Sequence, residues 1–427
     1  MNPTHALPIA CAAGPSADVL VVGGGVIGLA CALELARAGR QVRVLEMHGL
    51  GSGSSHGNCG TITPSHSEPL AMPGVIAKGL RWALQADAPL YIHPRFDLTL
   101  WGWLWRFARR CNDRHARPAT QAKAALLQAS RTMLEAFVAE HALDCEFETR
   151  GLLYAYTDPR QRDADLHDLR LLREVGVHAE PWDAGRMQVE EPSLRDDIIG
   201  GLYFPNDASL RPDRYVAELA RLARAAGVEL IEDCAVLGFC RERERVVGVD
   251  TARGLQRGRD VLLAAGAWSP LLSRQIGFEL PIQPGKGYSI TFDAQRKPPR
   301  HPLVLRERSV CVTAWGSGFR LGSTMEFSGY DASLNRVRLD ALVRGAGQYL
   351  REPPSGAPRE EWYGWRPMTY DDLPILGRAP GCDNLWLATG HGMLGVSMSL
   401  ATGRLLADLM CGREALLDPA PYSALRF

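Results

Sequence analysis

Six consecutive residues, Gly23-Gly24-Gly25-Val26-Ile27-Gly28, give the spacing GxGxxG, which suits a backbone that must press against a pyrophosphate. In that reading Gly23 permits a tight turn, Gly25 lets the main chain approach the phosphates, and Gly28 lets a helix lie close to its strand. A helix starting there offers unpaired amides and the positive end of its dipole to the same anion. Glu46 closes the next apolar run, where a carboxylate can accept hydrogen bonds from both ribose hydroxyls. It would also repel a 2′-phosphate, which argues against NADP. The fingerprint alone does not separate FAD from NAD. The stretch that follows, Gly51-Ser52-Gly53-Ser54-Ser55-His56-Gly57-Asn58-Cys59-Gly60, can lie along an extended dinucleotide; a surface loop is the competing reading. Near the other end, Thr389-Gly390-His391-Gly392 lets backbone come close, and a helix begins directly after it. That helix start can aim its partial positive charge at an electron-rich ring edge. His391 reads equally as a participant at such a site or as a turn histidine.

These residues need elements to hold them. Residues 18–22 read as a strand, 26–38 as a helix stopped by Gly39, and 41–45 as a second strand, one βαβ unit of roughly 30 residues. A long helix is expected over 118–143, a strand over 151–156 and a charged helix over 160–174. Pro212 suits the first turn of a helix whose Tyr215, Leu219, Leu222 and Ala223 share a face. Strands are expected at 228–231, 246–250 and 260–265. Residues 281–293, 310–314 and 319–325 read as successive strands of an antiparallel sheet. A helix over 332–350, a strand over 384–389 and a helix over 393–411 complete the chain.

Composition narrows the function classes. The 427 residues are 46% hydrophobic, enough for one large core or two joined ones. Lys plus Arg and Asp plus Glu both number 48, so the formal net charge is zero and nucleic acid is not an expected partner. The ten cysteines include no CxxC pair, leaving zinc and iron–sulfur centres without ligand spacing; no metal is expected. A reducing cytoplasm fits that cysteine usage. No stretch reaches the roughly 18 apolar residues of a membrane span.

Taken together, the ordered motifs resemble the D-amino-acid oxidase-like flavoproteins, and within them the bacterial D-amino-acid dehydrogenases. The resemblance runs from Ala17 onward: VVGGGVIGLACALELARAGRQVRVLE, then GSGSSHGNCGTITPSHSEPLAMPGV, then DVLLAAGAWS at 260–269. It ends in Gly364-Trp365-Arg366-Pro367-Met368-Thr369, Asp372-Leu373-Pro374 and Gly390-His391-Gly392-Met393-Leu394-Gly395. The fold implied is α/β, an FAD-binding Rossmann-like domain interleaved with an α+β substrate domain built on an antiparallel sheet. Residues 1–16 would be a leader, 17–90, 190–278 and 360–427 the FAD-binding domain, and 91–189 and 279–359 the substrate domain. By the same resemblance Gly23, Gly25, Gly28 and Glu46 hold the adenosine diphosphate half of FAD. Ser54, Ser55, Asn58 and Gly60 lie along its ribityl and flavin part, and Val236 contacts adenine through its backbone. Gly266 and Trp268 follow a nucleotide-domain strand, and Gly390, Gly392, Met393, Leu394 and Gly395 face the flavin.

Amine oxidation by a flavin needs a neutral amine and a well-aimed α-hydrogen, so the protein's main tasks are positioning and desolvation. A catalytic triad is the wrong search; an anchor for the α-carboxylate is the right one. Arg366 is the first candidate, because a guanidinium binds a carboxylate through two parallel hydrogen bonds and Pro367 suggests a fixed bend. Tyr288, in Gly285-Lys286-Gly287-Tyr288-Ser289, is the second, with ordinary strand packing as its competitor. Arg320 is a spare, and His391 is kept as a third site residue. His56 raises the option of covalent flavin, against which noncovalent FAD is expected. The dense run Trp101-Gly102-Trp103-Leu104-Trp105-Arg106-Phe107-Ala108-Arg109-Arg110 reads first as a core helix rimmed by arginines, and second as a patch docking on a membrane where a quinone takes electrons. The expected reaction is oxidation of a D-amino acid, and GHGMLGVSM is similar to the branch acting on cis-4-hydroxy-D-proline. A broad D-alanine-type dehydrogenase, a glycine- or sarcosine-type oxidase using oxygen, and a non-enzymatic flavin-binding subunit are the alternatives.

Overall fold

The computed structural model describes residues 16–82 and 90–427; the expected leader lies outside the described residues except for Ser16. Along the chain, the elements that frame the site are β1 (Ala17–Val22), α1 (Val26–Arg37), β2 (Val42–Leu45), α2 (Asp113–His141), β3 (Glu229–Ile231), β4 (Gln256–Leu263), β5 (Ile282–Phe292), β6 (Val310–Trp315), β7 (Gly318–Phe327), α3 (Arg336–Gly347), β8 (Glu360–Thr369), β9 (Leu385–Thr389) and α4 (Gly395–Met410).

β9, β4, β1, β2 and β3 pair in that order, all parallel. A parallel sheet is covered on both faces, and β1 accordingly reads as an unbroken apolar run. Val19 and Val21 point into one core with Leu29 and Leu33 of α1, while Leu20 and Val22 point into another with Leu263 and Leu387. The second sheet is built from β8, β5, β7 and β6, each antiparallel to the next, and continues through Leu303–Leu305 and Leu152–Tyr156. All of β5 is buried. Its Tyr288, Ile290 and Phe292 pack with Leu339 and Leu342 of α3 on one face, leaving the other face free for the site.

Three expectations shift. The helix expected at 118–143 begins at Asp113 and runs through Pro118. Asn112 caps it, its side chain accepting from the His115 amide, so a good cap early in the helix outweighs one missing N–H. The helix expected at 160–174 breaks into Pro159–Asp168 and Arg170–Glu174. The bend expected around Pro367 is instead the middle of β8. There Pro367 stands opposite Pro284 in the ladder, and two residues without an N–H can face each other only where no hydrogen bond is needed between them. β8 and the strand Gly200–Phe204 both pair into the second sheet.

Candidate active site

The turn after β1 assigns a distinct job to each glycine. Gly23 has φ +109°, and a Cβ on it would lie 2.6 Å from the Ala264 carbonyl oxygen. A Cβ on Gly28 would lie 1.9 Å from the Gly23 oxygen, so the helix-to-strand approach forbids one. Gly25 is different: its φ of −74° suits any residue, and a Cβ there would meet only Ser55 Oγ, at 3.3 Å. Protein packing explains two of the glycines and leaves open space beside the third, the cradle that a pyrophosphate needs. Around it, Glu46 accepts from the Gly24 amide at 2.6 Å and the His48 amide at 3.1 Å, and Ser55 Oγ accepts from Val26 N at 3.0 Å. The Cys234 amide donates to the Glu46 carbonyl at 2.7 Å, two residues before the half-buried Val236.

α4 lies parallel to α1. Gly403 abuts the Ala30 carbonyl, where a Cβ would come within 2.7 Å, and a Cβ on Gly395 would lie 4.0 Å from the Val26 side chain. The two helix starts therefore stand side by side, and neither Gly25 nor Leu394 closes its helix with a side chain. The approach to α4 turns through Gly390 and Gly392, at φ +78° and +54°, and Gly392 N donates to the Pro367 oxygen at 3.1 Å. Met393 is 41% exposed and Leu394 is buried. His391 turns inward to Thr402 Oγ1 at 3.1 Å, and burial pushes its imidazole down to about 3, so it is neutral near pH 7. Gly266, at φ +52°, accepts from Thr389 Oγ1 at 3.0 Å. Trp268 packs edge-on against Trp365, with ring centres 5.3 Å apart.

The polar loop lies on the free face of the second sheet and is fastened by side chains rising from it. Ser289 donates to the Gly57 oxygen and Thr313 to the Cys59 oxygen, each at 2.7 Å. Arg320 reaches the Asn58 oxygen at 2.9 Å and the His56 oxygen at 3.2 Å. Within the loop, Asn58 bonds the Ser55 oxygen and the Gly60 amide, and Ser54 Oγ donates to the Trp365 oxygen. The loop at Gly60 passes so close to Leu210 that a Cβ would lie 2.0 Å from its oxygen. Arg320 is thus a clamp on the loop. His56 pairs with Glu360 at 2.7 Å, and this hydrogen bond holds its pKa above the ordinary value.

Arg366 shares this face. Its guanidinium lies flat on Gly287, where a Cβ would collide at 2.3 Å. Opposite Gly287, β7 carries one extra residue between Ser323, which faces Tyr288, and Glu326, which faces Lys286. Ser323 and Thr324 take φ of +133° and +58°, a bulge that turns their carbonyls upward. Arg366 donates to the Thr324 oxygen at 2.5 Å and the Ser323 oxygen at 3.5 Å. Among the described residues it has no carboxylate partner, so a partly buried cation is left with neutral acceptors, and an arriving anion gains most there. Tyr288 is not brought to it. Alternation along β5 puts Tyr288 on the opposite face, buried under α3, with its hydroxyl donating to Glu326 at 3.2 Å; burial first and then that carboxylate raise its pKa.

Sequence reasoning passed over a second set of groups. Lys123, buried on α2, reaches Asp372 at 2.6 Å and the Glu68 carbonyl at 3.0 Å. Asp372 has φ +59° and also accepts from Leu70 N at 3.1 Å, so one ion pair ties the 63–72 segment to the chain just after β8. Burial raises the Glu68 carboxyl to about 7. Asp372 stood in the quoted Asp372-Leu373-Pro374 run, but its partner's only signal was a lone lysine in an alanine-rich helix.

A protein-family model described as FAD dependent oxidoreductase matches residues 18–409. The D-amino acid dehydrogenase of Paramagnetospirillum magneticum is 35% identical over 407 residues, covering 94% of this chain and 96% of that protein. That of Vibrio cholerae is 31% identical over 416 residues, covering 96% and 99%. Among solved structures, glycine oxidase from Geobacillus kaustophilus superposes with a TM-score of 0.77 at 25% identity, covering 96% of this chain and 99% of that one. L-proline dehydrogenase from P. horikoshii gives 0.73 at 20% identity, covering 96% and 98%, a likeness of fold.

Proposed function

The chain belongs to the FAD-dependent oxidoreductases, and from that premise we propose that it is a dehydrogenase that oxidises a D-amino acid to its imine, which water hydrolyses to the 2-oxo acid. The observation that carries this reading is Arg366, a partly buried cation resting on a glycine and two carbonyls with no carboxylate of its own. It takes the substrate's α-carboxylate. Bound FAD supplies the hydride acceptor, its N5 atom. The turn at Gly23, Gly25 and Gly28 receives the pyrophosphate, and Glu46 and the backbone at Val236 receive the adenosine. Ser54, Ser55, Asn58 and Gly60 line the ribityl side, with Gly266 and Trp268 beyond them. Gly390, Gly392, Met393, Leu394 and Gly395 present the start of α4 to the flavin's electron-rich edge, which favours arrival of negative charge there. His391, neutral and bonded to Thr402, fixes that turn and exchanges no proton with substrate.

A D-proline-like substrate, cis-4-hydroxy-D-proline, is favoured by the closing GHGMLGVSM run; a broad D-alanine-type range is the alternative. The likeness to a glycine oxidase keeps a glycine- or sarcosine-type reaction with oxygen as the second reading. Electrons leave to a quinone-type acceptor reached from a membrane surface. No described helix is long and apolar enough to cross a membrane. Support for surface contact comes from Leu98–Arg110: Trp103 packs inward, while Leu98, Trp101 and Trp105 are 72%, 56% and 59% exposed. Arg109 lies over Trp105 at 4.7 Å, and the helix contains no acidic residue, a pattern suited to an anionic interface.

The test is anaerobic. D- and L-amino acids are added in turn to the yellow holoenzyme; bleaching by D-proline derivatives supports the proposal, and bleaching only by glycine or sarcosine favours the second reading. No bleaching by any amine overturns both. Repetition in air, with a dye or quinone as the alternative acceptor, separates dehydrogenase from oxidase.

A further inference from the structure

Cys59 and Cys311, far apart in the chain, meet on the face that carries Arg366. In the β6–β7 ladder Cys311 stands directly opposite Gly322. Cys59 Sγ fills the space that Gly322 leaves, 2.5 Å from where its Cβ would be. Opposed residues in an antiparallel ladder have Cβ atoms about 4.5–5.5 Å apart, so the Cys59 sulfur stands over the Cys311 side chain. The two neighbouring thiols act on each other, Cys59 being held below and Cys311 above the ordinary thiol range. Cys59 is also held in place through its own carbonyl, by Thr313. Both cysteines are half-buried, as are Cys111, Cys240 and Cys411, and within reach of a small oxidant, whereas Cys31, Cys145, Cys234 and Cys382 are buried. The neighbouring Cys311 thiol and the charges of Arg366 and Arg320 hold the Cys59 thiol below its ordinary pKa against burial, which makes it the nucleophile of the pair.

We propose that Cys59 and Cys311 are an oxidisable thiol pair, which a hydroperoxide converts to a disulfide joining the polar loop to the second sheet. With hydrogen peroxide, the Cys59 thiolate attacks one oxygen, the O–O bond breaks, and a sulfenic acid and one water result. The Cys311 sulfur then displaces the sulfenic hydroxyl as a second water. Two thiols and one peroxide become one disulfide and two waters, the two sulfurs supplying both electrons. The pair itself stands on the loop-to-sheet geometry alone. Its effect rests on the proposed role of Arg366: oxidation removes a thiol whose ionised form competes for that cation, so KM for the amino acid falls roughly three- to tenfold at a pH where the thiol is ionised.

The experiment treats holoenzyme with equimolar hydrogen peroxide, blocks remaining thiols and maps peptides without reduction. The expected result is a Cys59–Cys311 linked peptide appearing before any other thiol is modified, and disappearing with dithiothreitol. In Cys311→Ser the linked peptide is absent and dimedone traps Cys59 as its sulfenic acid. Unmodified Cys59, or oxidation spread over the other cysteines, overturns the pair. A mapped disulfide with an unchanged KM leaves the pair standing and overturns its action on Arg366, which separates this inference from the proposed reaction.

Discussion

On the proposed role of Arg366, one substitution separates binding from folding. Arg366→Met would remove a charge-assisted pair worth about 1.5–3 kcal/mol, so kcat/KM for a D-amino acid should fall roughly ten- to hundredfold while the flavin spectrum is retained; steady-state kinetics with a dye acceptor check it. His391 behaves as a structural base. Its imidazole titrates at 6.5 when free and at about 3 in the fold, so on acidification the unfolded chain takes up the proton first. The stability it contributes is full above about 6.5 and is lost as pH falls toward 3. His391→Gln should flatten that part of a melting-temperature curve against pH and leave the pH profile of kcat unchanged. At this scale the sequence names side-chain chemistry and not placement. Arg366 is singled out by its guanidinium, and its role is a proposal. Tyr288 misled because a motif names a residue and not the strand face it occupies, and the Cys59–Cys311 encounter depends on a ladder register that no spacing encodes.

Single elements show why some glycines were readable and others were not. In the β1–α1 turn, Gly28→Ala drives a methyl into the Gly23 carbonyl at 1.9 Å and should lower the melting temperature of the protein without cofactor. Gly25→Ala meets only Ser55 Oγ at 3.3 Å, so it should fold nearly unchanged and lose FAD affinity. Calorimetry and FAD titration on the two variants check the split, and equal melting losses would remove the argument for an open cradle. That turn was legible because a strand, a glycine cluster and a helix follow one another locally. β8 was not, since Pro367 looks like an interruption until Pro284 is found opposite. The bulge at Ser323 and Thr324 was equally hidden: both are ordinary strand residues, and only the count of partners across the ladder exposes the extra one.

Across the whole molecule, the alternation of strands and helices was enough to indicate an α/β chain with a second, antiparallel sheet. The surface was less legible: the run from Trp101 to Arg110 favoured a core helix, and the structure divides it, burying Trp103 and exposing Trp101 and Trp105. Replacing Trp101 and Trp105 together by Ser should abolish sedimentation with phosphatidylglycerol vesicles and leave dye-coupled turnover unchanged; undiminished sedimentation would count against the membrane contact. The placement of α4 beside α1 has a further consequence, for the order in which the protein can be made. β1 waits for β4 to pair with it on one side, β4 waits for β9, and α1 lacks α4 beside it until the last stretch of the chain arrives. A ribosome that has released about the first three hundred residues has therefore delivered every glycine of the β1–α1 turn and no finished sheet to hold them. Such long-range closure is slow and leaves apolar strands uncovered while synthesis continues. A chain stopped just before β9 should emerge colourless and prone to aggregate, however intact its GxGxxG.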